Sequence, residues 1–83
     1  MFDNMQKYRL EFILHIQNIP QERIEDSIAD LGEGLEITDC REELTRGKNL
    51  KININVEDPA IVLDACAQFG RIKSVKVDEE GRA

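Results

Sequence analysis

The chain has 83 residues, 41% hydrophobic and 34% charged, with 11 Lys and Arg against 17 Asp and Glu, a net charge of −6. That length allows a single domain over 1–83, with an ordered core over about 7–78 and one modest hydrophobic interior. No apolar run approaches the ~18 residues of a membrane span. Met1-Phe2-Asp3-Asn4 lacks the basic region and apolar stretch of a signal peptide, and the acidic balance argues against general nucleic-acid affinity. These features predict a cytoplasmic protein with no membrane partner.

Residues 8–16 alternate: Tyr8, Leu10, Phe12, Leu14 and Ile16 share one parity, while Arg9, Glu11, Ile13 and His15 take the other. This is a strand with one buried face. Asn18-Ile19-Pro20 breaks it, with Asn18 suited to cap a helix and Pro20 to its first turn. Ile24, Ile28 and Leu31 then recur at i, i+4 and i+7, the stripe of a short amphipathic helix stopped by Gly32 and Gly34. Leu35, Ile37 and Thr38 open a second strand, read as an edge. From Cys40 to Leu44 it loses its phase, which suggests a bulge or a twisted end.

Thr45-Arg46-Gly47-Lys48-Asn49 reads as a hairpin turn. Leu50, Ile52, Ile54 and Val56 alternate with Lys51, Asn53 and Asn55 in the clearest strand of the chain. Glu57-Asp58-Pro59 starts a second helix whose apolar stripe is Ile61, Val62, Ala65, Cys66 and Phe69. Gly70 ends it, and Ile72, Val75 and Val77 make a last strand. Residues 1–6 and 79–83 read as frayed ends. The expected core includes Phe12, Leu14, Ile28, Ile52, Ile54 and Phe69.

The order is βαββαβ, and an internal repeat supports it: the Leu10–Ile16 alternation matches Leu50–Val56 at an offset of 40, and Asn18 then matches Asp58. Two such halves with right-handed crossovers predict an α+β, ferredoxin-like sandwich. It consists of a four-stranded antiparallel sheet of order 4-1-3-2 with two helices on one face.

Charge is segregated. Residues 20–45 hold nine acids against two bases, and Glu22, Asp26 and Asp30 form one column on the first helix: a solvated face, a docking face for a basic partner, or a weak divalent-cation site. The sheet's other face is mildly basic and polar: Lys7, Arg9, Glu11, Ile13 and His15 from strand 1, Lys51, Asn53 and Asn55 from strand 3, Ser74 and Lys76 from strand 4. Of these, Arg9, His15, Lys51, Asn53 and Asn55 form a candidate interaction face. The outward positions of the central strands hold no aromatic for stacking bases, so nucleic acid is the weaker partner there.

Chemistry-bearing motifs are missing. There is no nucleophile elbow, phosphate loop or dinucleotide fingerprint, and a single histidine and no Cys-x-x-Cys leave no metal motif. No catalytic residue, metal or cofactor is therefore expected. Cys40 and Cys66 are read as free thiols, with Cys66 buried.

Leu14-His15-Ile16-Gln17-Asn18-Ile19-Pro20-Gln21-Glu22-Arg23-Ile24, Leu31-Gly32-Glu33-Gly34-Leu35-Glu36-Ile37 and Ile72-Lys73-Ser74-Val75-Lys76-Val77 together resemble ACT-type regulatory domains over residues 8–78. Those domains often run from an apolar strand into Asn-x-Pro-Gly-x-Leu or Asp-x-Pro-Gly-x-Leu; here Gln21 stands where they have the glycine. The resemblance implies a non-catalytic regulatory module, binding a small polar ligand such as an amino acid at Asn18, Ile19, Pro20 and Gln21, beside strand 2 of a neighbouring subunit. The alternative is a protein-interaction adaptor using a strand edge or the acidic helix. A weak homodimer is expected through paired strand 2 edges, its population rising as salt screens the acidic segments.

Overall fold

The computed structural model describes residues 7–40 and 46–80. The elements run β1 (Lys7–Ile16), α1 (Gln21–Ile28), a one-turn 3-10 extension (Ala29–Leu31), β2 (Glu33–Cys40), β3 (Lys48–Val56), α2 (Pro59–Ala67) and β4 (Gly70–Glu80). All four strands form one antiparallel sheet of order β2-β3-β1-β4. This is the expected ferredoxin-like arrangement, with the two cleanest alternating strands at its centre.

The core follows from that alternation. Leu10, Phe12, Leu14 and Ile16 from β1 and Leu50, Ile52, Ile54 and Val56 from β3 are fully or almost fully buried. They meet Ile24 and Ile28 of α1 and Val62 and Cys66 of α2, while Leu35, Ile37 and Ile72 pack at the margins. Burying a side chain of this kind contributes roughly 1.5–3 kcal/mol, and among the described residues the central strands supply eight of the twelve buried apolar ones. The sheet therefore holds the fold, and the short helices are stabilised by covering it.

The periphery departs from expectation. Phe69 is only half-buried, because α2 ends at Ala67 and the ring lies in the turn that follows. Ile61, expected on the apolar stripe, is 51% exposed; Val62 and Cys66 are the buried residues of the helix, with Leu63 and Ala65 partly buried against the same core. The last strand continues to Glu80 instead of fraying at 79, since Tyr8 and Lys7 pair with Glu79 and Glu80. A bulge interrupts β4 between Lys73 and Lys76. Ser74 takes a φ of 56° there and so leaves the ordered rows of the open face. Residues 41–44, where strand 2 was expected to lose phase, lie outside the described residues, as do 1–6.

Among the described residues no helix is long and apolar enough to cross a membrane.

Candidate functional site

The first strand–helix loop is shaped by where its proline falls. Pro20 is extended (φ −68°, ψ 143°) and stands at the N-cap of α1. Its ring carries no acceptor, and among the described residues no side chain caps the helix. Asn18, the expected cap, lies two residues earlier at φ 60°, in the left-handed region that asparagine tolerates better than most residues. The Arg23 N–H donates to the Pro20 carbonyl at 3.0 Å. The N–H groups of Gln21 and Glu22 are left as the open donors of the helix end.

β3 brings a second segment to this loop. Ile16 pairs with Lys48, so the chain entering β3 runs alongside the exit of β1. Gly47 makes the turn at φ 82°, where a Cβ would collide with the Ile16 carbonyl oxygen. Ile16, Asn18, Ile19, Pro20, Gly47 and Lys48 together line an open hollow of ≈ 460 Å³. Three of the four loop residues singled out in the sequence are in it. Gln21 is not; its side-chain amide donates to Glu25 Oε2 at 3.1 Å. Gly47 and Lys48 were missed as site residues. The signal was available in the topology, because strands 1 and 3 are antiparallel neighbours and the end of one must lie beside the start of the other.

The hollow has an apolar wall of Ile16, Ile19 and Pro20 with exposed Lys48 on its border, and Pro20 is also the N-cap of α1, so a helix end whose dipole favours negative charge lies next to it. Glu22 is the one acid in the first turn of α1 and already occupies part of that field. The arrangement suits a small molecule with one anionic group and an apolar portion.

The open face of the sheet assembles as its alternation implies. Its cross-strand rows run Asn55-Arg9-Asp78, Glu36-Asn53-Glu11-Lys76, Thr38-Lys51-Ile13-Lys73 and Cys40-Asn49-His15-Arg71. Arg9, His15, Lys51, Asn53 and Asn55 thus share one surface. Arg9 donates to Asn55 Oδ1 at 3.4 Å and lies 3.9 Å from Glu36, and Lys51 lies 3.7 Å from Glu11. These half-exposed pairs contribute little stability, yet they leave the row of Lys51 and Lys73 and the row of Arg71 as the cationic end of the face.

That end carries a polar network. Asn49, 5% exposed, is the only buried polar residue among those described. Its Oδ1 accepts from His15 Nδ1 at 2.8 Å, and His15 Nε2 accepts from the Gln17 amide at 3.4 Å. Oδ1 can only accept, so the imidazole holds its proton on Nδ1 in this arrangement. The network joins the open face to the loop that begins at Gln17.

At the other end of β1, Lys7, Asp30, Glu33, Asn55, Glu57 and Asp58 border an acidic hollow of ≈ 370 Å³. Lys7 pairs with Glu33 at 3.1 Å, and Asp58 Oδ1 accepts from the Ala60 N–H at 3.1 Å. No group of three or more His, Cys, Asp or Glu is gathered for a metal ion among the described residues. Cys40 and Cys66 are unbridged, and burial pushes the Cys66 thiol up to about 11, away from nucleophilic use.

Compared with protein-family models, curated proteins and solved structures, the chain matches none.

Proposed function

We propose that the chain is a non-catalytic regulatory module that binds a small polar ligand with an anionic group, such as the carboxylate of an amino acid, in the hollow beside the first loop. The observation that carries this reading is the hollow that Lys48 shares with Pro20, the N-cap of an α1 that no side chain caps among the described residues. The resemblance to ACT-type domains at Asn18-Ile19-Pro20 adds to it. Gln21 in place of glycine narrows the backbone approach, so the ligand's anionic group meets the helix end from the Lys48 side.

The test is a thermal-shift screen of free amino acids, nucleotides and divalent ions, followed by the variant Pro20→Asp. A ligand at 100 times its Kd stabilises a fold by about 2.7 kcal/mol, a rise of several degrees in Tm for a domain this small. Pro20→Asp places a carboxylate over the same N–H groups and should abolish the shift with the fold retained. A screen with no response sinks the reading. A shift that survives in Pro20→Asp moves the site elsewhere.

A second reading, a protein-interaction adaptor, is favoured by the exposure of β4. Binding to nucleic acid through the cationic end of the open face is the weakest reading, and its signature is affinity that falls steeply with salt.

A further inference from the structure

The two edges of the sheet are unlike. On β2, Leu35 and Ile37 tuck partly into the core. On β4, every residue from Lys73 to Glu79 is exposed. Val77 pairs with buried Leu10 and so lies on the helix-covered side of the sheet, while Val75 falls in the bulge between Lys73 and Lys76. They are 46% and 45% exposed. The helices cover the beginning of β4 and leave its second half bare. An edge of this kind presents unpaired backbone groups beside uncovered valines.

Two features limit what can pair with it. The bulge over Ser74 and Val75 disrupts the strand before Lys76, so regular pairing is confined to Lys76–Glu80. The charges there change sign along the strand, Lys76 preceding Asp78 and Glu79. An antiparallel partner of identical sequence reverses that order. With Val77 opposite Val77 at a twofold axis, Lys76 of each copy faces Asp78 of the other on the open side. Among the described residues neither Lys76 nor Asp78 is engaged in an ion pair within the chain.

We infer that β4 is the docking edge for a second copy of this chain, joining two sheets into one of eight strands through an isologous contact centred on Val77. The contact is short and therefore weak. It lies away from the hollow at the first loop, so ligand binding and self-association are separately measurable.

Sedimentation equilibrium of the full chain tests it, with Lys76→Asp and Asp78→Lys made singly. Each variant alone sets like charges opposite one another at two places, which should weaken self-association roughly tenfold on the scale of cross-strand charge pairs. Mixing the two variants restores both opposite-charge pairs in a heterodimer, and association should return to about the unmodified level. Val77→Lys, at a surface position that spares the core, should abolish association with the circular dichroism spectrum unchanged. A strict monomer at millimolar concentration overturns the inference. So does a dimer indifferent to all three substitutions, which uses another surface. Open-ended oligomers would mean that β4 pairs with β2 of the next copy, and likewise overturn it.

Discussion

The two βαβ halves share a strand pattern and differ at the helix starts. In the second half, Asp58 directly precedes Pro59, so the proline takes the first helical position and the aspartate caps, accepting from Ala60. In the first half, Ile19 intervenes between Asn18 and Pro20. The proline slides back to the cap position, and Asn18 is displaced into a left-handed turn. One inserted residue converts a closed helix end into an open one. It also shifts the helical register. Counted from the cap, Ile24 and Ile28 of α1 correspond to Val62 and Cys66 of α2, four and eight residues on. Aligning the prolines instead would set Ile24 and Ile28 against Leu63 and Ala67, one residue past the buried positions.

The largest expected effect tests whether the halves are equivalent in the core. Leu14 and Ile54 hold matching positions and both are fully buried. Leu14→Ala and Ile54→Ala should each cost ~2–5 kcal/mol in urea unfolding. A loss below ~1 kcal/mol in only one of them, small against that same range, would show that the repeat is a sequence likeness without shared energetics.

The strands, their order and most of the core were legible because period-2 alternation reports burial directly, and Leu10–Ile16 and Leu50–Val56 alternate without a break. What was not legible depends on where an element stops. Phe69 lies past the last turn of α2. Val77 belongs to an apolar face that the helices do not reach. Ser74 gives no local signal of a bulge. At the site, Asn18-Ile19-Pro20 identified the loop, but the residue type of Asn18 suggested a cap where the backbone makes a turn. Lys48 was legible only through the topology.

A smaller effect separates the two helix ends. Asp58→Ala should cost roughly 0.5–2 kcal/mol, the usual range for losing an N-cap side chain. Hydrogen exchange sharpens the point. The Ala60 amide should be protected in the unmodified chain, while Gln21 and Glu22 exchange near the unprotected rate. In Asp58→Ala, Ala60 should join them. Equal protection at both helix starts in the unmodified chain would mean that a group outside the described residues closes α1, and the hollow would lose its open donors.

The last effect, confined to alkaline pH, concerns the one ionisable group among the paired core positions of the helices. Cys66 stands where α1 has Ile28. Its thiol is pushed up by burial to about 11 from an ordinary value of 9.0. The unfolded chain therefore releases the thiol proton first as pH rises. The Cys66 contribution is fully present below about pH 9, declines above it and is lost as pH passes through about 11. Lys and Tyr side chains titrate over the same window, so the slope of stability against pH must be compared between chains. Cys66→Val keeps the site apolar and removes the proton. Its urea midpoint should fall less steeply between pH 9 and 11 than that of the unmodified chain, and the two curves should run parallel below pH 8. Parallel curves across the whole range would place Cys66 in contact with water, and the matched seating of the two helices on the sheet would fail with it.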